Sequence, residues 1–416
     1  MMNLFSRLSL IACGLLSIST FAQRESAKGY GYLGFDVSVG MLGDSNSNFP
    51  DHELHKSMFF NLGISDSKDE KYWRYYLNKP KTGLSFGFSD LGNKDALGYV
   101  FSVMPYADFS LLPKNIDGFS LLVSLGGSYM TKRFDEESNP YNKAVSTRFN
   151  WSYKSFLYYN LLKTNAHVWR LGLGYFHHSN GHTRKPNRGY NAFLLGTSID
   201  FLSDGLPYQQ DAIVEGLPKE LQWFYTGRFG IGQNSFSDVF NSKDEVFAAA
   251  FSVGKIINRT FKFGVGLYYN FYGHYYNYIV NDETLVRTQA PHFKEHPIRY
   301  ASAMGVAGSA ELLMSHIGME LNIGVNYFKP FYKIDWQLNE GYTTFPKGQE
   351  NIVLGELGGY YNVKHYVSSR MGLKYYLFDT DNAPKHNFFI GAFINANLGQ
   401  ADFSEFTFGY VHRFQL

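Results

Sequence analysis

Cysteine is almost missing from this chain: its 416 residues contain one, Cys13, in the leading segment. If the leader is cleaved after Ala22, the exported protein has none, which excludes a disulfide framework and a thiolate metal site. Long apolar runs are missing too. Nothing after residue 22 approaches the ~18 consecutive apolar residues of a membrane helix. A formal charge of +2 lacks the concentrated basic excess of a nucleic-acid binder, and no nucleic-acid partner is expected. Leu, Ile and Val are fewer than a soluble domain this rich in Phe and Tyr would carry.

What is present is aromatic and glycine-rich: 38 Phe, 32 Tyr and 41 Gly, at a mean hydropathy of −0.25. This composition suits a β-barrel whose strands are apolar on one side only. The leader, Met1 to Ala22, has Arg7 near its start, an apolar run from Leu8 to Ile18, and small residues at Thr20 and Ala22. It reads as a signal peptide, residues 1–22. A lipoprotein box at Leu10-Ile11-Ala12-Cys13 is the rival, but apolar sequence continues past Cys13 where it should turn polar.

Alternation recurs along the mature chain. Phe261, Phe263, Val265, Leu267, Tyr269 and Phe271 share one face of a strand, as do Ile317, Met319, Leu321, Ile323, Val325 and Tyr327. Glu320 opposes five apolar side chains and so faces something wet, as a barrel lumen would be. Further strands are expected near 30–42, 81–91, 97–111, 118–133, 144–162, 166–180, 189–203, 220–234, 244–257, 297–312, 350–363, 366–379 and 386–397, with segment 43–80 ambiguous. The last strand presents Phe406, Phe408, Tyr410, Phe414 and Leu416 on one face, with only His412 interrupting. It resembles the insertion signal read by the barrel assembly machinery. The expected fold is all-β: a transmembrane antiparallel up-and-down β-barrel over residues 23–416, with about 14–16 strands, an even number keeping both termini on the periplasmic side.

One constellation carries chemistry. In Leu171 to Gly181 the residues Leu171, Leu173, Tyr175, His177 and Ser179 share a face. A possible base and nucleophile therefore follow an apolar lipid-facing row. His177 and Ser179 stand about 6.5–7 Å apart at Cα, within reach of each other, and imidazole is the usual activator of a serine hydroxyl. Asn191 precedes the apolar row Phe193, Leu195, Thr197, Ile199 and Phe201, so it emerges on the same surface, where it could orient His177. The bland alternative is a set of interfacial polar residues near a loop. His177, His178 and His182 do not suggest a metal site, because His178 faces away and no carboxylate joins them. Arg184, Lys185 and Arg188 form either a solvated loop or a contact for the phosphates of an anionic glycolipid.

His177-x-Ser179-Asn180-Gly181 followed by Pro186-Asn187-x-Gly189 resembles the lipid A 3-O-deacylase family (PagL-like), also grouped as acyloxyacyl hydrolases. Tyr72-Trp73-Arg74-Tyr75, Phe86-Gly-Phe-Ser-Asp90 and Asn93-Lys94-x-x-Leu97-Gly98 resemble the longer Bacteroides-type members. The resemblance covers residues 30–203; residues 204–416 carry no legible motif. It implies an outer-membrane enzyme of a Gram-negative bacterium that hydrolyses lipid A of lipopolysaccharide among outer-membrane lipids, without a cofactor. By position, the catalytic histidine falls on His177, the serine nucleophile on Ser179, an oxyanion-hole residue on Asn180 and a second asparagine on Asn187, with Gly181 completing the motif. The family's acidic triad member, a glutamate, aligns with Asn191. An amide oxygen can hold the ring but cannot offset the imidazolium charge, and an Asp-to-Asn change in a serine triad can lower turnover by ~10⁴. The competing expectation is a non-catalytic barrel, a channel or structural protein, retaining a relic site.

Overall fold

The computed structural model describes residues 29–67, 71–112, 118–164, 166–202, 216–237, 241–344 and 351–415. The expected signal peptide lies outside them. Eight antiparallel strands close the first barrel: β1 (Gly29–Gly43), β2 (His55–Ser67), β3 (Lys81–Asp90), β4 (Tyr99–Ser110), β5 (Phe119–Met130), β6 (Phe149–Lys163), β7 (His167–Ser179) and β8 (Tyr190–Leu202), with β8 paired back to β1. A second barrel closes from β9 (Leu221–Ser235), β10 (Lys243–Ile257), β11 (Phe261–Tyr272), β12 (Ser302–Met314), β13 (Ile317–Phe328), β16 (Val367–Tyr376), β17 (His386–Asn397) and β18 (Gln400–Phe414). The short strands β14 (Tyr342–Thr344) and β15 (Asn351–Val353) pair outside both barrels.

The all-β antiparallel barrel class stands, and the sixteen described barrel strands meet the upper expectation, but two closures replace the single one expected. Alternation tells which face of a strand is wet; it does not tell which distant strand will be its partner. An eight-stranded barrel is narrow enough to be filled by its own side chains. In the first lumen Lys154 pairs with Asp36 at 3.4 Å, and Arg170 bridges Asp108 and Asp200. In the second, Arg370 binds Glu320 at 2.7 Å and Glu405 at 3.0 Å, while Lys374 joins Glu320 to Glu311. Glu320 thus faces a wet lumen as its alternation required, but it is ion-paired there.

The exteriors are apolar. Leu33, Phe35, Val37, Val39 and Met41 form one exposed row on β1, and Phe247, Phe251 and Val253 another on β10. No described helix is long and apolar enough to cross a membrane.

Two local expectations need correction. The ambiguous segment contains β2, obscured because Phe59 is apolar yet buried inside the lumen, which breaks the alternation of Met58, Phe60, Leu62 and Ile64. The strand expected over 350–363 is mostly absent: β15 ends at Val353, and Gly359–Tyr366 is helical. Gly358 lies beside Gly359 at its start, and the following Tyr-Tyr-Asn-Val-Lys-His buries Tyr361 and Lys364, three positions apart on one helical face.

One end of the second barrel carries tight turns, at 258–260 and 315–316, and in the first barrel the β6–β7 connection, 164–166, is as short. The other end of each barrel carries long connections, among them 131–148, 180–189, 273–301 and 329–366. Long loops mark the outer side of such barrels, and the segment after β7 is one of the long connections. Both described ends of the chain, at β1 and β18, fall on the tight-turn side.

Candidate active site

β7 and β8 pair directly, with His177 opposite Asn191 and Tyr175 opposite Phe193. On the outward face the row runs from the exposed Leu171 and Leu173 to Tyr175 and His177, and on β8 from the exposed Leu195 and Phe193 to Asn191. At the top of this row His177 Nδ1 lies 2.8 Å from Asn191 Oδ1. An amide oxygen only accepts, so Nδ1 carries the proton and Nε2 is left as the basic atom. Tyr175 donates its hydroxyl to the same oxygen at 2.6 Å and lies nearly parallel to the imidazole, at 13°. Gly189 closes over the ring: its φ is +76°, and a Cβ there would stand 2.8 Å from His177 Cε1.

Ser179 is 7% exposed. Its Oγ accepts from the Gly181 N–H at 3.2 Å and from Asn187 Nδ2 at 2.9 Å. A hydroxyl offers two lone pairs and one proton; with both lone pairs engaged, the proton is the group left to give away. No hydrogen bond joins Ser179 to His177 among the described residues, although the two share the outward face of β7.

Asn187 also accepts from the Asn180 N–H at 2.9 Å. The Asn180 side chain itself turns inward, donating to Ser146 Oγ at 3.2 Å and to the Arg184 carbonyl at 2.7 Å. It holds the loop, and the donors beside Ser179 are Gly181 and Asn187. Arg184 and Arg188 are exposed, and their guanidinium groups make no hydrogen bond among the described residues. The Lys185 ammonium instead binds Asn339 Oδ1 of the second barrel. His178 points into the first lumen, 2.7 Å from Ser152 Oγ. His182 lies in the loop, where its buried ring is held well below the ordinary imidazole value by desolvation and then by Lys185. These three histidines do not converge, and no group of three His, Cys, Asp or Glu side chains is placed to hold a metal among the described residues.

Sequence reasoning counted Tyr175 as one more apolar position, and only its parity with His177 hinted at its hydroxyl contact. It also missed Ser146, Trp151, Asn241 and Ser404. These act through contacts distant in sequence, for which the residues themselves carry no signal.

The family model of lipid A 3-O-deacylase (PagL) matches residues 60–199, which lie within the first barrel and include His177, Ser179 and Asn191. The crystal structure of the outer-membrane enzyme PagL overlaps with a TM-score of 0.27 and 15% identity, over 40% of this chain and 97% of that one. The NanC porin overlaps at 0.16 and 11%, over 92% of this chain and 100% of that one. No curated protein matches the chain. The family match and the apolar exteriors of the barrels support the outer membrane of a Gram-negative bacterium as the protein's location.

Proposed function

We propose that the chain removes an ester-linked acyl chain from lipid A by serine chemistry on the outer surface of its first barrel. The observation that carries this reading is the His177–Asn191 contact of 2.8 Å on a lipid-facing row, with a serine two residues along whose oxygen already holds two donors. A barrel needs no fixed imidazole tautomer among its lipid-facing leucines; a hydrolase of lipid esters does.

In this mechanism Ser179 Oγ attacks the ester carbonyl carbon and its proton passes to His177 Nε2. The carbonyl oxygen becomes the oxyanion, for which the Gly181 N–H and the Asn187 amide are the nearest donors. Collapse breaks the bond to the sugar oxygen, which leaves with the proton from His177. Water then attacks the acyl-serine, with His177 taking its proton, and the fatty acid departs as Ser179 is restored. Asn191 holds the ring throughout without neutralising the imidazolium. Arg184 and Arg188 extend from the loop on the external side, where lipid A phosphates lie, and a guanidinium fork suits phosphate.

The test is fatty-acid release from purified lipopolysaccharide, with mass spectrometry of the product lipid A. Ser179→Ala is expected to abolish release while both barrels assemble, since it removes one hydroxyl at the end of β7 and leaves the β6–β7–β8 backbone ladder intact. Unchanged release would remove the nucleophile assignment. Asn191→Glu is expected to equal or exceed the wild type, because a carboxylate stabilises the imidazolium formed during attack. A large loss in that variant would show that the amide is required in its own right.

A further inference from the structure

The loop that supplies Gly181 and Asn187 to Ser179 is gripped by the second barrel, which lies outside the matched family region. Asn241, in the β9–β10 connection, makes a two-point contact with the backbone of Lys185: its Oδ1 accepts the Lys185 N–H at 2.8 Å and its Nδ2 donates to the Lys185 carbonyl at 2.7 Å. One side chain thereby does for Lys185 what a neighbouring strand would do. Ser235, the last residue of β9, donates its N–H to the His182 carbonyl at 2.9 Å and its hydroxyl to the Thr183 carbonyl at 3.0 Å. Asn339 receives the Lys185 ammonium.

The nearest grip to the chemistry is Ser404 on β18. Its hydroxyl donates to the Gly181 carbonyl at 3.1 Å and accepts from Trp151 Nε1 of the first barrel, also at 3.1 Å. The N–H of the same Gly181 reaches Ser179 Oγ. Gly181 has a φ of +63°, and a Cβ at that position would stand 2.1 Å from Ser404 Oγ. Residue 181 is thus a glycine both for its backbone conformation and because the second barrel presses on it.

We propose that the second barrel is a positioning element of the deacylase site, with Asn241 and Ser404 as positioning residues that fix segment 180–187 and so the two donors on Ser179. This rests on the serine mechanism proposed above. A loop spanning residues 180–189 with its carbonyls unpaired would explore many conformations, and catalysis requires donors held to a fraction of an ångström. The second barrel supplies the missing hydrogen-bond partners without touching Ser179 or His177.

The experiment compares full-length wild type, Asn241→Ala, Ser404→Ala, the double variant and Asn241→Asp, each verified as folded by its heat-dependent gel migration. Fatty-acid release from lipopolysaccharide and amide hydrogen exchange are both measured. The double variant should lose ~10–100-fold in kcat with KM little changed, and exchange over 180–187 should rise while β6, β7 and β8 stay protected. Asn241→Asp retains the acceptor for the Lys185 N–H and should recover part of the rate, which a general loss of packing would not predict. If Asn241→Ala fails to assemble, Ser404→Ala alone carries the test, since it removes one hydroxyl from a surface contact. Wild-type kcat in the folded variants, or unchanged exchange over 180–187, overturns the proposal. Should wild type and Ser179→Ala both release no fatty acid, the serine reading fails by itself, and the exchange data still decide whether the second barrel holds the loop.

Discussion

The two barrels are built alike and differ in where their polar side chains meet outside the lumen. Each has eight strands, an apolar exterior and a lumen closed by ion pairs. In the first, the outward row ends at the loop side in a histidine bound to an amide, beside a serine. The second also has outward polar rings, but at the tight-turn end: His386 and His412 lie opposite each other with Nδ1 atoms 3.3 Å apart, and Tyr410 bonds His386 at 2.6 Å. Among the described residues, no serine or amide side chain bonds to these rings. Inward polar residues are thus a requirement of the architecture, shared by both barrels. Among the described residues, an outward imidazole bound to a side-chain amide, with a serine two residues along the same strand, is found in the first barrel.

The largest expected effect tests that distinction directly. His177→Ala should lower fatty-acid release by roughly 10⁴–10⁶-fold, the range seen when the base of a serine triad is lost. His412→Ala should leave release at the wild-type level, because its ring serves the lower aromatic belt. Comparable losses in both variants would mean that an outward histidine supports the barrel rather than the chemistry, and the contrast would collapse.

Next comes the shared feature. Arg370→Leu removes one cation between Glu320 and Glu405 in the second lumen; Lys374 and Arg228 still face those carboxylates, so the cost should fall below the ~3–5 kcal/mol of a buried pair left without any partner. Urea unfolding should show that loss of stability, and Arg170→Leu, which strands Asp108 and leaves Asp200 to Lys81 alone, should show a similar one in the first. At a temperature where the variants remain folded, kcat should hold. Stability would then lie inside the barrels and activity outside them, and a kcat that falls in step with stability for either arginine would blur that division.

The same division sets what the sequence could disclose. The outward rows were legible because a strand period of two separates lipid from lumen residue by residue, and so His177 and Asn191 could be assigned one surface before any pairing was known. The Ser179–Asn187 contact was legible only as a motif. Closure into two barrels was not: β8 reaches back to β1 and β9 reaches forward to β18, and both pairings are set by register over long sequence distances. Nor was the inward turn of Asn180 visible, since the choice of Ser146 and the Arg184 carbonyl over the oxyanion depends on how two loops meet. Asn241 and Ser404 sit in stretches with no motif at all, and only the packing of one barrel on the other gives them a role.

The smallest effect concerns the joint between the barrels and its dependence on pH. Asp335, in the helix Tyr332–Asn339 of the outer connection, accepts from Asn339 Nδ2 at 3.1 Å, and Asn339 in turn receives the Lys185 ammonium. Burial pushes the Asp335 carboxyl up to about 7; Asp402 adds to the rise, while Lys185, Lys329 and a hydrogen bond from Tyr275 oppose it. The folded protein therefore holds this proton more tightly than the unfolded chain, whose carboxyl has the ordinary value of 3.8. By linkage, the stabilisation is complete below about pH 4 and is lost as pH rises through about 7. Protection against hydrogen exchange in the outer connection and over 180–187, with the intrinsic base-catalysed rate divided out, should accordingly be greater at pH 5 than at pH 8. Asp335→Asn keeps a neutral group of the same shape, so it should remove most of that difference and leave the pH 8 protein as well protected as the wild type, or better. A wild-type protection factor that is flat across this window, or a variant that retains the full slope, would assign the joint's pH response to another group and leave the second barrel's hold on the loop indifferent to Asp335.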